Sequence, residues 1–439
     1  MVRRRFFDFH QRYLARYTQR LPLGLRGQLA GHLFRRTRHP DFGFTHARSL
    51  CASGRSDIAA KLYGNGQAVT DPLFSTQLES EGHVSGPSQG VFFAQISFLG
   101  LRIGGQISGL GSAPVQLQID LDDTVLRIET LSVRNGTASF RMILSREVLE
   151  AFPTSGLLRA RLIDGTDGSI LATPEGGIGW RTTMPHGQGT IDKVISERGS
   201  LDKKGRFRLN SVELDARQTA YLDLYSELKD VYAREFNRPL LILYGTLLGQ
   251  LRSGDFIPGD DDFDVGYPSS EITPEAVRGE AISQMSRLAE LGYVIVLNEF
   301  GRPFRIRARD GAAWVHLDNR PVFAPQQGEV WLHKHAALAL DLSLFSEPEA
   351  AEMRGMDVLR PHQPERFLEA YYGANWRVPD PSYSNTGRSL PENARKALHQ
   401  ICLSDAQQRD LAQRYPGQIV PVRYSPLYPL ADYAARIGF

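Results

Sequence analysis

The sequence predicts an α+β protein in which a β-sandwich-like domain is followed by a domain that combines helices with a mixed sheet. Three observations predict this architecture. The chain has 439 residues, which is more than a single hydrophobic core usually holds. Short strand-like segments with turn residues between them fill residues 55–182. Residues 211–236 then change to the spacing of a helix.

The first domain is predicted from strands of ordinary length and from one strong turn signal. Asn135-Gly136 separates two short apolar segments, which is typical of a two-residue hairpin. A scaffold role is favoured for this domain, and glycan binding through aromatic residues is the alternative that stays open. The predicted strands are Val91–Phe98, Arg102–Ile107, Val115–Leu121, Ser139–Leu144, Leu157–Ile163 and Ser169–Ala172.

The second domain begins after a polar, glycine-containing linker predicted over residues 183–206. We expect a helix over Ser211–Phe236, a short strand over Leu240–Leu243 and a second helix over Pro274–Leu291, which Gly292 ends. The domains are therefore predicted as 1–50, a basic helical segment; 55–182, the β-sandwich-like domain; and 207–439, the second domain.

The first 40 residues are strongly basic, with ten arginines and Asp8 as the single acid. Phe6, Phe9, Tyr13 and Tyr17 are spaced to line one side of a helix. A basic amphipathic helix with aromatic residues suits an anionic membrane surface, and packing against protein is an equal alternative. No nucleic-acid recognition motif accompanies these charges, so no nucleic-acid partner is expected.

Hydropathy and cysteine content restrict the expected location. No apolar run approaches the length of a membrane span, and no secretory signal core is recognisable. The two cysteines, Cys51 and Cys402, are far apart and form neither a disulfide framework nor a zinc-site pattern. We expect a cytoplasmic protein, either free or peripheral at the inner face of the membrane.

The most informative segment runs from Tyr244 to Val265. Gly245 and Thr246 form a small-residue turn that can approach phosphate. If the acidic residues that follow are in a strand, Asp260, Asp262 and Asp264 point to one side. Carboxylates that converge in this way repel one another unless a hard cation lies between them. The combination predicts a magnesium-dependent phosphotransfer site, with manganese as the alternative ion.

A second acidic strand serves as a control. In Val115–Leu121 the apolar residues alternate with Gln116, Gln118 and Asp120, so these polar residues are expected on a solvated face. No phosphate-binding turn accompanies them. We expect them only to increase solubility.

The segments GTLLGQLR and FIPGDDDFD resemble the LicD family of phosphotransferases in the nucleotidyltransferase superfamily, and are similar to the catalytic domain of fukutin-related protein. The resemblance extends over about residues 205 to 390, through Trp314–Asp318, Pro321–Phe323 and Arg366–Gly373. It implies the nucleotidyltransferase fold. One departure is Gly259, where the family usually has a tryptophan.

The resemblance implies roles for individual residues. Asp262 and Asp264 resemble the paired magnesium ligands. Asp318 resembles the third carboxylate, which either completes the metal shell or accepts the proton of the attacking hydroxyl. Asp260 is the alternative residue for orienting or deprotonating that hydroxyl. Gly245 and Thr246 resemble the turn that contacts donor phosphates. Arg252 resembles an arginine that clamps phosphate.

Two further residues compete for roles at this site. Asp341 also lies in an apolar run and is the rival of Asp318 as third carboxylate. His316 shares a face with Asp318 if the segment is a strand, which would let it contact substrate. A structural hydrogen bond is the alternative for this histidine.

The resemblance implies transfer of a phospho-alcohol from a cytidine diphosphate (CDP) donor to a sugar hydroxyl of a cell-surface glycan or its lipid-linked precursor. The alcohol phosphate would be phosphocholine, ribitol phosphate or glycerol phosphate. Two alternatives stay open: a nucleotidyltransferase that releases pyrophosphate, and a non-catalytic glycan- or membrane-assembly protein.

Overall fold

The computed structural model divides into two compact units, one extending to Arg208 and the other beginning at Leu209. The predicted aromatic helix face of Phe6 to Tyr17 lies outside the described residues. Within the described part of the chain, no helix combines the length and the apolar character that a membrane span requires. The structure describes residues 23–37, 46, 49–50, 58, 76–86, 88–97, 100–163, 169–202, 205–297, 304–308, 315–332, 336–380, 383 and 390–420.

The first unit contains two antiparallel sheets. One has five strands in the order β1-β8-β7-β4-β5, and the other has three in the order β2-β3-β6. The structure thus confirms a strand-rich first unit, while a sandwich packing of the two sheets stays a prediction. Its elements are α1 (Leu23–Thr37), β1 (Gln77–Glu81), β2 (Gly90–Ser97), β3 (Gly100–Ser108), β4 (Val115–Leu121), β5 (Thr124–Leu131), β6 (Thr137–Leu144), α2 (Arg146–Ala151), β7 (Ser155–Leu162), β8 (Gly179–Thr183) and α3 (Ile191–Arg198).

Most of the predicted strands form, but the list was incomplete. Strands β1, β5 and β8 were not predicted, and Ser169–Ala172 forms only isolated bridges. Part of the predicted linker is helix α3, and Leu201 beyond it is fully buried. Polar composition alone therefore did not distinguish an extended linker from a surface helix.

The Asn135-Gly136 turn forms as predicted. Both residues have positive φ, 52° and 68°, which is the signature of a type I′ turn. Arg134 and Thr137 exchange backbone hydrogen bonds of 2.8 and 3.0 Å across it. The strands on either side then separate, because β5 pairs with β4 while β6 pairs with β3. The turn joins two sheets and does not close a long hairpin.

The expected solvated face of β4 is wrong for two of its residues. Gln118 and Asp120 are buried, and the Gln118 side-chain amide donates to Asp120 at 2.6 Å. The second oxygen of Asp120 lies 3.1 Å from Nε of Arg161 on the adjacent strand β7. Arg161 compensates the charge of the Asp120 carboxylate, which allows β4 to be buried on both faces.

The second unit begins with a well-capped helix, α4. The Asn210 side chain accepts from the Glu213 amide while the Glu213 side chain accepts from the Asn210 amide, which completes a capping box. Its elements are α4 (Ser211–Phe236), β9 (Leu241–Ile242), α5 (Tyr244–Ser253), β10 (Asp264–Pro268), α6 (Pro274–Glu290), β11 (Val294–Val296), β12 (Arg305–Arg307), β13 (His316–Gln326), β14 (Glu329–Leu332), β15 (Ala336–Leu338), α7 (Ser343–Ser346), β16 (Glu349–Met353), β17 (Met356–Arg360), α8 (Pro364–Tyr372), α9 (Glu392–Gln400), α10 (Asp405–Arg414) and β18 (Ile419–Val420).

The predicted helix, short strand and second helix form, whereas Gly245 and Thr246, predicted as a turn, lie in helix α5, which was not predicted. Helix α4 has the predicted bounds, and α6 ends one residue before the predicted end. The main sheet is mixed: β10 runs parallel to β13 and antiparallel to β9, and β12 runs antiparallel to β13.

The main sheet has one apolar face at its centre. Val265, Ile306 and Leu317, from three adjacent strands, are fully buried in the main core. Because side chains alternate along a strand, the opposite face receives the residues between them. Those residues are charged or polar, and they form the candidate site.

Candidate functional site

The acidic segment is a loop that leads into a strand. Strand β10 begins only at Asp264, so the predicted alternation of Asp260, Asp262 and Asp264 along one strand is wrong. The Asp260 amide donates to the Ile257 carbonyl at 2.9 Å, and Gly259 has φ +78°. With Pro258 before it, Gly259 completes a type II turn that ends just before the carboxylates. Any other residue at position 259 would have to adopt this positive φ, which is why glycine is favoured here.

The loop brings three carboxylates together. Asp260, Asp261 and Asp262 each offer an oxygen, and these oxygens lie within 4.8 Å of one another. A strand at this position would have put Asp261 on the face opposite to Asp260 and Asp262. Three converging carboxylate oxygens are the hard ligands that magnesium prefers, so this loop can hold a divalent cation.

Helix α4 holds the backbone of this loop. The Gln218 side-chain amide donates to the Asp260 carbonyl at 2.9 Å, and the Tyr221 hydroxyl donates to the Asp261 carbonyl at 2.7 Å. Nη1 of Arg217 is 3.8 Å from the Asp261 carboxylate. The hydrogen bonds from α4 and the nearby Arg217 guanidinium therefore oppose the electrostatic repulsion among the three carboxylates.

Strand pairing brings the other two predicted carboxylates side by side. In the parallel pair β10–β13, Asp264 is the register partner of Asp318. Asp264 is buried, whereas Asp318 is partly exposed. The structure thus places Asp318 next to Asp264. The rival Asp341 is exposed just before α7 and is not in this pair of strands.

Arg320 links these two carboxylates and was missed by the sequence analysis. Its Nη1 contacts Asp264, and its Nη2 donates to Asp318 at 3.1 Å. Burial opposes the charge on Arg320, but the two carboxylates outweigh burial and raise the pKa of Arg320. Its position two residues after Asp318, on the same strand face, is the signal that could have identified it.

Strand β12 adds two more arginines. In the antiparallel pair β12–β13, Arg305 is opposite Asp318 and Arg307 is opposite His316. Arg305 Nε donates to Asp318 at 2.8 Å. Burial and the adjacent Arg305 lower the pKa of Arg307 to about 10. The alternation Arg305-Ile306-Arg307 predicts a shared face, but the sequence does not show which strand lies beside it.

His316 lies among these charges. Burial, followed by the charge of Arg305, lowers the pKa of His316 to about 3, so the imidazole is neutral at physiological pH. Its Nε2 is 3.8 Å from Asp318, which is too long for a hydrogen bond. Its buried Nδ1 has no hydrogen-bond partner within the described residues. The structural hydrogen bond considered for this histidine is therefore not seen at Nδ1.

The predicted phosphate turn is the first turn of helix α5. The Thr246 hydroxyl is buried and accepts from the Asp264 amide at 2.9 Å, so it positions the start of β10. A Cβ at Gly245 would lie 3.3 Å from the Asp260 carboxylate, a close contact that a larger residue would relieve only if the Asp260 side chain shifted. Tyr244 begins the helix with φ +50°, a strained conformation for a bulky side chain. Phosphate contacts by Gly245 and Thr246 stay predictions.

Arg252, the predicted phosphate clamp, lies in the last turn of α5. Its guanidinium donates to the Trp376 carbonyl and, at 3.1 Å, to the Val378 carbonyl. It therefore fixes the chain that follows helix α8. The cations seen in contact with the predicted metal ligands Asp264 and Asp318 are Arg305 and Arg320 instead.

The geometry therefore combines an acidic loop, two register-paired carboxylates and three arginines on one region of the second unit. Such a site can hold a cation and an anion at the same time, which is what transfer of a phosphate group requires. A search among curated proteins finds no match to the chain. The LicD/FKTN/FKRP nucleotidyltransferase domain model matches residues 237–362, a span that includes all the predicted carboxylates and all three site arginines. This match supports the resemblance to the LicD family over residues 237–362, and it suggests a transferase of the kind that modifies glycans.

Proposed function

We propose that the second unit transfers a phospho-alcohol from a CDP-linked donor to a sugar hydroxyl, with a divalent cation bound at the acidic loop. The alcohol is choline, ribitol or glycerol, and the acceptor is a cell-surface glycan or its lipid-linked precursor. The enzyme would act as a cytoplasmic protein or at the inner face of the membrane.

One observation carries the proposal: within the LicD-matching span, parallel strand pairing puts Asp318 beside Asp264, at the end of the acidic loop. These residues come from segments more than fifty positions apart in sequence. A binding module has no need for converging acids of this kind, whereas phosphotransfer does.

Asp260, Asp261 and Asp262 have the chemistry and spacing to hold magnesium or manganese. Asp264 and Asp318 were expected as ligands too, but Arg320 contacts both of them. Magnesium bound here would neutralise the diphosphate of the donor. Of the three predicted metal ligands, Asp262 therefore fits the role better than Asp264 and Asp318 do.

The reaction would proceed by attack of the acceptor oxygen on the phosphorus that carries the alcohol. The bond from that phosphorus to the oxygen of cytidine monophosphate (CMP) breaks, and the acceptor proton passes to a carboxylate. Arg305 and Arg320 hydrogen-bond Asp318 and stabilise its charged form, so Asp318 is suited to orienting the acceptor hydroxyl. Asp260, which lies against Gly245 at the start of α5, is then the better candidate to accept the proton.

The test measures donor binding first, because the acceptor is unidentified. Thermal unfolding is followed with CDP-choline, CDP-ribitol, CDP-glycerol and CTP, each with magnesium or with EDTA. A ligand at 100 times its Kd stabilises the folded state by about 2.7 kcal/mol. We expect magnesium-dependent stabilisation by one CDP-alcohol in the wild type and its loss in Asp262→Asn.

The matched control is Asp410→Asn, which removes an exposed aspartate on α10 that pairs with Arg414 in the same unit. It should respond to the donor as the wild type does. Stabilisation by CTP with pyrophosphate release would favour nucleotidyl transfer. The absence of stabilisation by any of these nucleotides would favour the non-catalytic alternative.

A further inference from the structure

The site has a basic side that is distinct from its acidic loop. At Asp318, strand β13 lies between two neighbours: Asp264 of β10 is its register partner on one side, and Arg305 of β12 is its partner on the other. The carboxylates of the acidic loop, which can bind a metal, therefore lie on the β10 side of β13. Arg305 and Arg307 lie on its β12 side.

The two arginines of β12 are close to each other and to His316. Arg305 and Arg307 lie on the same face of β12, and Arg307 is the register partner of His316 on β13. Arg307 and His316 are both buried. Asp318 compensates Arg305, and an anion between the two guanidinium groups would reduce the repulsion that remains between them.

His316 supplies an independent observation. Its Nδ1 is buried and has no hydrogen-bond partner within the described residues. Leaving a buried polar atom without a hydrogen-bond partner destabilises the folded state. Such an atom in a native structure indicates a ligand or an ordered water at that position.

The donor set selects the class of anion. An arginine presents its donors as a planar fork that matches two oxygens of a phosphate, and two arginines with an imidazole offer donors in several directions. A tetrahedral phosphate has enough oxygens to use them all. A planar carboxylate has only two.

We propose that Arg305, Arg307 and His316 form a phosphate-binding subsite on the β12 side of the catalytic centre. This subsite, and not Arg252, holds a phosphate group of the substrate. That the phosphate belongs to a transferase substrate rests on the proposed function; that the subsite binds phosphate does not.

The test is isothermal titration calorimetry of inorganic pyrophosphate into the full-length protein in EDTA, so that no cation can bridge the ligand to the acidic loop. We expect the wild type to bind. Arg307→Gln should weaken binding at least tenfold, and Arg307→Lys, which keeps the charge but loses the fork, should fall between the two.

Two comparisons keep the result interpretable. Arg414→Gln on α10 removes an exposed arginine and should bind pyrophosphate as the wild type does. His316→Phe, which removes Nδ1 but keeps a ring, should also weaken binding, and the melting temperature of each variant checks folding. Equal binding by the wild type and Arg307→Gln, or no binding by a folded wild type, would overturn the subsite.

The source of the phosphate is decided by two further titrations, with CDP and with glucose 1-phosphate. Weaker binding of CDP to Arg307→Gln assigns the subsite to the donor diphosphate. Weaker binding of the sugar phosphate alone assigns it to a phosphorylated acceptor. If pyrophosphate binding depends on Arg307 while no CDP-alcohol binds, the subsite stands and the proposed donor is wrong.

Discussion

Two buried aspartates, one in each unit, show how little burial and an ion pair say about function. Asp120 in β4 and Asp264 in β10 both contact an arginine on a neighbouring strand. Among the described residues, Gln118 and Arg161 contact the Asp120 carboxylate, and the Arg161 side chain is 46% exposed. Asp264 has a buried arginine, a second carboxylate in register and an acidic loop directly before it.

The two aspartates differ in how many separate chain segments bring groups to them. Asp120 is compensated within two adjacent antiparallel strands, which is sufficient to explain its burial. Asp264 is joined by groups from β13 and α5, including the Thr246 hydroxyl that holds its amide. An acidic strand becomes a candidate site when separate segments bring charge to it, and the predictions below test that distinction.

The largest expected effect is on catalysis. Asp262→Asn removes one of the three loop carboxylates that can hold a metal, and we expect the rate of phospho-alcohol transfer to fall about 1000-fold, or about 4 kcal/mol. The variant should keep its melting temperature, because Asp262 is partly exposed. The equivalent change in the first unit, Asp123→Asn, affects a fully exposed side chain and should leave the rate unchanged.

The second largest effect is expected on the free energy of unfolding. Asp264→Asn should lower the free energy of unfolding by about 3 kcal/mol, because it removes one partner of a buried pair. Asp120→Asn should cost only about 1 kcal/mol, because Arg161 can turn to solvent. Urea unfolding at neutral pH measures both. Equal losses would show that the two aspartates are energetically alike and would contradict the comparison.

A third prediction concerns the cation between the strands. Arg320→Met leaves Asp264 and Asp318 facing each other without their shared partner, so the variant should unfold at a lower temperature in EDTA. Magnesium should then raise the melting temperature more in the variant than in the wild type, since the two freed carboxylates can bind it. Calcium and magnesium titrations followed by thermal unfolding provide the measurement. An identical magnesium response in the two proteins would show that Arg320 does not compete with a cation.

The smallest effect is expected at an acid outside the site. Burial raises the pKa of Glu280 on α6, although Ser269 and Arg238 oppose the shift. The folded state therefore retains a proton to higher pH than the unfolded state, so Glu280 costs stability as the pH rises above the normal glutamate range. Glu280→Gln should be more stable than the wild type at pH 7 and indistinguishable from it near pH 4. Thermal unfolding over this pH range would refute the prediction if the difference has the opposite sign.

The sequence predicted the elements whose signals are local. Helix α4 was predicted from its hydrophobic spacing and has the predicted bounds, and the structure adds the Asn210 cap. The Asn135-Gly136 turn forms for the same reason, since both residues accept positive φ. Strand β1 was missed because it has one apolar residue among acids, and its pairing with the distant strand β8 decides its conformation. Strand β5 was missed because charged residues and threonines interrupt its apolar residues, although it pairs with its sequence neighbour β4.

The candidate site divides in the same way. The sequence by itself determined which carboxylates are available and that the second unit resembles the LicD family. Only the tertiary structure decided that Asp260 to Asp262 form a loop and that Arg252 binds backbone carbonyls. It also decided that Arg305 and Arg320 contact Asp318, while Arg307 lies opposite His316. The physical reason is that register between β10, β13 and β12 depends on burying Val265, Leu317 and Ile306 together, a condition set by three segments at once.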